Sequence, residues 1–194
     1  MTVPFILASA SPRRKQLLEA AGYEFAVDPS DVEEPEPAAG AVPGAYVARL
    51  AWRKAMAVAE RRGAGLILAA DTVGAVDGVI LNKPFDRDDA ERMIRLQEGR
   101  DSDVLTGLCL LRADRLEWVG IGAVETSVVR FKHLSDAERG AFLDSNRWQG
   151  KAGAYGIQDH DPFVTLVSGS LSNVVGLPME RLAALLREHP ILTA

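Results

Sequence analysis

The chain has 194 residues, 47% of them hydrophobic and 25% charged, with a net charge of −5. That length suits one globular unit with a real core, the acidic balance argues against a non-specific grip on a nucleic-acid polymer, and the apolar runs are too short to span a bilayer. Cys109 is the single cysteine, so an internal disulfide is excluded, as suits a reducing, cytoplasmic setting; no basic stretch precedes the first apolar run, so no secretory leader is expected.

Val3 to Leu7 reads as a short buried strand running into Leu7-Ala-Ser-Ala-Ser-Pro-Arg-Arg14. Pro12 suits the first turn of a helix, where its missing N–H costs nothing. Leu17, Leu18 and Ala21 offer that helix an apolar stripe, and Gly22 a stop. Arg13 and Arg14 then stand at the positive end of the helix dipole, a poor place for cations. An anion shared among hydroxyls, backbone N–H groups and guanidinium forks would justify them; a solvated basic turn explains the stretch equally well. Residues 28–44, rich in Asp, Glu, Pro and Gly, predict a loop. A helix over 43–62 follows, its stripe formed by Val47, Leu50, Ala51, Ala55 and Val58. Lys54 falls on or beside that stripe, and taken alone its stem would snorkel to water.

Leu66 to Ala70 predicts a second buried strand, ending in Asp71-Thr72-Val73. Asp77-Gly78 marks a hairpin between Gly74–Val76 and Val79–Leu81. Asp86 caps a helix to about Gln97 with Ala90, Met93 and Ile94 on one side. Val104–Arg112 and Leu116–Phe131 read as strands, Ser135 to Glu138 as a capping box opening a helix to about Ser145, and Gly150 to Gln158 as a glycine-punctuated loop. Phe163–Val167 is a last strand. A turn at Gly169-Ser170 and a C-terminal helix with Leu182, Leu185 and Leu186 inward complete the chain. Early alternation of strands and helices, then clustered strands, predicts an α/β protein around a mixed sheet.

Asp71 is expected at the carboxyl end of its strand, the edge where open α/β sheets bind ligands. A carboxylate there holds a divalent cation or takes a proton from water, or merely caps a turn. Lys83 and Lys151 read singly as surface lysines, and Glu33 and Glu34 as part of a solvated acidic run. His133, His160 and His189 lack metal-ligand spacing, and neither a Walker A loop nor G-x-G-x-x-G is present. Ser9 and Ser11 have no evident His/Asp partners, which leaves a serine hydrolase unsupported. Jointly the set is more telling: Arg13, Arg14, Lys54, Lys83 and Lys151 supply cations for phosphates, and Glu34 and Asp71 supply carboxylates for a metal. Phosphoryl chemistry on a nucleotide needs both.

In this light the chain resembles the Maf family of nucleoside triphosphate pyrophosphatases. The matching segments are Leu7 to Arg14, Tyr46-Val-Ala-Arg-Leu-Ala51 with Lys54-Ala55, Ala70-Asp-Thr-Val73 and Asn82-Lys-Pro84. Lys151-Ala-Gly-Ala-Tyr-Gly-Ile-Gln158, Gly169-Ser170 and Asn173-Val-Val-Gly-Leu-Pro178 continue them in the right order. The resemblance implies a single domain over 1–194 with a two-lobed Maf/ITPase-like fold: a mixed, twisted sheet flanked by helices, with a nucleotide cleft between the lobes. It implies hydrolysis between the α and β phosphates, giving a nucleoside monophosphate and pyrophosphate. By position, Asp71 matches the proton acceptor, and Ser9, Arg13, Arg14, Lys54 and Lys83 match phosphate and active-site contacts. Glu34, preferred to Glu33 by spacing, matches an acidic residue that with Asp71 would hold Mg²⁺ or Mn²⁺, with Co²⁺ a third candidate. Arg13, Thr72 and Gln158 match the branch acting on dTTP and UTP, which points to pyrimidine nucleotides, modified ones included; a Gln side chain can offer a base edge a paired donor and acceptor. The resemblance also allows a homodimer.

Two segments depart from the family pattern. Glu98-Gly-Arg-Asp-Ser102 lacks the usual final histidine, and Arg147-Trp-Gln-Gly150 stands where acidic residues usually precede the Lys-Ala-Gly loop. These departures motivate an alternative, a non-catalytic nucleotide-binding regulator of the kind the family has been associated with in cell division. Asp71, Lys54 and Lys83 favour the enzyme.

Overall fold

The computed structural model describes residues 4–115, 117–159 and 163–192. Seven strands, β1 (Phe5–Leu7), β2 (Phe25–Val27), β3 (Gly65–Val76), β4 (Val79–Leu81), β5 (Asp101–Ala113), β6 (Trp118–Phe131) and β7 (Val164–Ser168), form one sheet. Its order is β2-β1-β3-β5-β6-β7, with β4 added to β3. The pairs β1–β2 and β1–β3 are parallel and the others antiparallel, as a mixed sheet requires. Helices α1 (Pro12–Ala20), α2 (Pro43–Arg62), α3 (Arg87–Gln97), α4 (Asp136–Asp144), α5 (Leu171–Val175) and α6 (Met179–Glu188) flank it.

The long helix α2 forms for the reason its sequence suggests. Pro43 sits in its first turn, and Val47, Leu50, Ala51, Ala55 and Val58 are all buried, each large one contributing about 1.5–3 kcal/mol. It lies directly on β5: a Cβ on Gly107 would stand 2.4 Å from the carbonyl oxygen of Val47, so only glycine permits that approach. The hairpin at Asp77-Gly78, α3 with its Asp86 cap, and α4 with its Ser135–Glu138 capping box form as expected.

Several boundaries differ from the sequence reading. The predicted strand over Leu66–Ala70 does not stop at Asp71. It continues to Val76, because β5 pairs along it without a break from Gly65↔Ala113 to Ala75↔Asp103. Ala21 is the exposed C-cap of α1 rather than part of a stripe; Leu18 alone is buried there. The strands β2 and α5's helical turn went unpredicted, and the 150–158 loop holds two 3-10 turns, Ala152–Ala154 and Ile157–Asp159. The last strand starts and ends one residue later than expected. Val3, Leu116 and His160 lie outside the described residues.

The core falls into parts along β3. Alternate residues of its first half face opposite layers. Leu66, Leu68 and Ala70 pack with Leu18 of α1 and Leu182 and Leu185 of α6, while Ile67 and Ala69 pack with Ala51, Ala55 and Val58 of α2. Beyond Asp71, Val76 joins a separate cluster with Leu81, Ile94, Phe131, Phe142 and Phe163. Two lobes result, joined by β3, β5 and β6. On one side of β3, β1 pairs with Leu66–Leu68 and β4 with Gly74–Val76. Between them, residues 69–73 have no strand neighbour on that side, and the sheet is split where Asp71 stands.

Candidate active site

A cleft of about 550 Å³ opens at that split. One wall is the turn from β1 into α1. Ser11 caps the helix, and the buried Ser9 Oγ accepts from Ser11 N at 3.2 Å and from Arg14 Nη1 at 3.0 Å. The floor is β3. The opposite rim comes from the Glu34 loop, from Lys83 beyond β4, and from the 149–158 segment. Five cationic side chains, Arg13, Arg14, Lys54, Lys83 and Lys151, line it against three carboxylates, Asp31, Glu34 and Asp71. An acidic protein thus keeps a cation-rich cleft, the pattern that concentrates an anionic ligand.

At its centre Lys54 does not snorkel to water. It is buried, because α2 lays it against the face of β3 that carries Asp71, and its Nζ donates to Asp71 Oδ1 at 2.5 Å and to Glu34 Oε1 at 2.6 Å. Glu34, not Glu33, enters the cleft, and its other oxygen accepts from Lys83 Nζ at 3.1 Å. Burial pushes the Glu34 carboxyl up, but the hydrogen bond and charge of Lys54, with those of Lys83, outweigh it and hold the group down at about 2. Asp71 is therefore a mid-strand residue whose side chain emerges between β1 and β4, not a strand-end carboxylate.

Thr72, the next residue of β3, faces the other layer. Its Oγ1 accepts from Arg14 Nη2 at 3.2 Å and lies 2.9 Å from Thr106 Oγ1 of β5, its cross-strand partner. Arg14 also donates from Nε to the Gly176 carbonyl at 2.8 Å. Burial lowers the Arg14 pKa from its ordinary value; Asp71 opposes this, Arg13 adds to it, and Glu34 opposes it. Arg13 donates to the Gly150 carbonyl at 3.2 Å, and burial lowers its pKa against the opposing charge of Asp159. Gln158 lines the same cleft. The two arginines of one helical turn thus separate, Arg13 toward the 150–159 segment and Arg14 toward β3 and α5.

Three groups escaped the sequence reading. Asp159 forms a close ion pair with Lys151. It gives the loop an internal carboxylate where Arg147-Trp-Gln-Gly150 has none, and nothing in its local pattern marks it. Thr106 and Asn173 are fully buried, and Thr106 Oγ1 donates to the Asn173 carbonyl at 3.2 Å. For Thr106 a signal exists: it is the polar member of the otherwise apolar Val104, Leu108, Leu110 face. Ser102, where the family pattern has histidine, is buried with its hydroxyl unpartnered among the described residues. Among those residues no group of three or more His, Cys, Asp or Glu side chains converges as a metal site, and no helix is long and apolar enough to cross a membrane.

Residues 4–189 match the family described as Maf-like protein. The dTTP/UTP pyrophosphatase of Rhodopirellula baltica is 51% identical over 183 residues, which span 93% of this chain and 80% of that protein. The dTTP/UTP pyrophosphatase of Latilactobacillus sakei is 43% identical over 184 residues, 94% of this chain and 99% of that one. The nucleoside-triphosphatase/dITP/XTP pyrophosphatase structure from Mycobacterium abscessus aligns with 98% of this chain and 96% of its own at a TM-score of 0.41 and 18% identity, too distant to bear on the assignment. With nearly the whole length matched and half of the residues shared with one relative, the chain belongs to the Maf family.

Proposed function

We propose that this protein is a divalent-cation-dependent nucleoside triphosphate pyrophosphatase acting on dTTP, UTP or modified pyrimidine nucleotides. The observation that carries the reading is the Glu34–Lys54–Asp71 cluster, set in the split of the sheet and ringed by Ser9, Arg13, Arg14 and Lys83. The names of the relatives support the same reaction class.

Asp71 accepts the proton of the attacking water. That water adds to phosphorus at the α–β linkage, the bridging P–O bond breaks, and pyrophosphate leaves the nucleoside monophosphate. Lys54 holds Asp71 and Glu34 together and offsets their mutual repulsion. Lys83 and Arg14 face the phosphates, and Gln158 offers the base a donor and an acceptor. The carboxylates fit Mg²⁺ or Mn²⁺. Both are hard oxygen donors that already share one cation, the Lys54 ammonium. Magnesium in phosphate sites characteristically takes one or two carboxylates and completes its shell with water and substrate oxygens. Bound there, the ion would neutralise charge on the phosphate oxygens. A reaction on the nucleotide pool suits a cytoplasmic protein.

The test is a panel of canonical and modified nucleotides with Mg²⁺, Mn²⁺ and Co²⁺, products being separated by ion-exchange chromatography. Monophosphate and pyrophosphate, formed fastest from dTTP or UTP, are expected. Nucleoside diphosphate with orthophosphate would refute the mechanism. Nucleotide binding without any pyrophosphate release would favour the regulator instead.

A further inference from the structure

We infer that Thr106 and Asn173, neither of which lines the cleft, are positioning residues that set the Arg14 guanidinium through Thr72; this rests on the pyrophosphatase reading for its kinetic consequence. Arg14 Nη2 is an obligate donor and the Asn173 carbonyl an obligate acceptor. Between them lie two hydroxyls, each with one proton to donate and two lone pairs to accept with. Arg14 Nη2 donates to Thr72 Oγ1 at 3.2 Å, Thr72 meets Thr106 Oγ1 at 2.9 Å, and Thr106 donates to the Asn173 carbonyl at 3.2 Å. Thr72 Oγ1 also lies 3.4 Å from the Gly176 carbonyl, so the hydroxyl that Arg14 meets is held by Thr106 on one side and by the residue after α5 on the other.

The far end is anchored. Asn173 Nδ2 donates to the Val104 carbonyl and to Ser127 Oγ, each at 2.9 Å, and Ser127 Oγ donates to the Ser170 carbonyl at 3.1 Å. Thr106, Ser127 and Asn173 are fully buried, so water cannot substitute for a lost member. The chain thus crosses from the half-buried Thr72 of β3 through the fully buried Thr106 of β5 and Ser127 of β6 into α5. It brings α5 and the following Gly176 against Arg14, whose Nε donates to the Gly176 carbonyl. Three of the five guanidinium N–H groups are spent on Ser9, Thr72 and Gly176, leaving two for an anion. A guanidinium held by three partners is fixed in orientation, which is the pre-organisation that makes phosphate recognition strong.

Thr106→Val keeps the shape and removes the hydroxyl; Thr106→Ser keeps the hydroxyl. The measurements are kcat and KM for dTTP with Mg²⁺, the melting temperature, and the Arg14 Nε–H NMR signal, assigned by its loss in Arg14→Lys. Thr106→Val is expected to raise KM about tenfold, as one lost hydrogen bond does, to change kcat less, and to broaden the Arg14 signal; Thr106→Ser restores both. A lowered melting temperature with unchanged KM and an intact Arg14 signal would overturn the inference. If the wild-type protein releases no pyrophosphate, the pyrophosphatase reading fails by itself. The Arg14 signal then decides this inference alone: broadened in Thr106→Val and sharp in Thr106→Ser supports it, sharp in both refutes it.

Discussion

With its Nζ 2.5 Å from Asp71 and 2.6 Å from Glu34, Lys54 neutralises two carboxylates that would otherwise repel across a buried gap. Lys54→Met leaves that charge uncompensated and should cost about 3 kcal/mol, the scale for a broken buried pair. Added Mg²⁺ should then raise the melting temperature of the variant more than that of the wild type, because the ion takes over the vacated role; equal shifts would argue against metal binding by this pair. Asp71→Asn keeps the hydrogen-bonding shape and removes the proposed base. Turnover should fall at least about 10²-fold, the lower range for a lost general base, with the fold intact and a melting temperature lowered less than by Lys54→Met, because Lys54 keeps Glu34 as its partner. Glu34 supplies a pH test. Its folded pKa lies near 2, below the ordinary 4.5, so the folded state binds fewer protons than the unfolded state between those values. The stabilisation is complete above 4.5 and is lost as pH falls toward 2. Acid unfolding of Glu34→Gln should therefore begin at higher pH than that of the wild type, and the stability gap between the two, full above pH 4.5, should close as pH falls toward 2.

At the scale of elements, the cleft exists because β3 outruns its neighbours. β1 leaves it at Leu68 and β4 joins it at Gly74, while β5 holds it straight on the other side. α2 must then lie close enough to bring Lys54 over the gap, and Gly107 sets that closeness. Gly107→Ala would drive a methyl into the Val47 carbonyl. It should cost about 1–3 kcal/mol, the scale of overpacking, and lower turnover by lifting Lys54 from Asp71; calorimetry paired with kcat checks both. How legible this was in the sequence depended on the element. α2 and α3 announce themselves through long periodic stripes, and the hairpin through Asp77-Gly78. β2 and α5, with three and five residues, are too short for a period and are held by tertiary contacts. The strand through Asp71 was read too short because a buried charge looks like a strand end; only α2's lysine, distant in sequence, makes it tolerable inside one. The residues that meet in the cleft were legible through motif resemblance, whereas the Thr106–Asn173 chain depends on cross-strand register that no local pattern encodes.

For the molecule as a whole, the two lobes share β3, β5 and β6, so loss of one lobe's packing strips support from the other and cooperative unfolding is expected. Cys109 reports on this. It lies in the middle of β5, fully buried against Ala51 and Ala55 of α2, and burial pushes its thiol up to about 12. The thiolate is the reactive form, so in the native state Cys109 should be inert to a disulfide reagent at pH 8. Labelling should require the molecule to open, and its rate in increasing urea should track the independently measured unfolding equilibrium. Any ligand that binds only the folded state reduces the open population by the factor 1 + [L]/Kd. A non-hydrolysable dTTP analogue at about 100 times its Kd, with Mg²⁺, should then slow labelling about 100-fold. Slowing by that factor would show that the cleft and the β5 core belong to one cooperative unit. Labelling that is fast in the absence of urea and indifferent to the analogue would instead show that α2 lifts from β5 on its own, with the Lys54 bridge opening independently of the rest of the fold.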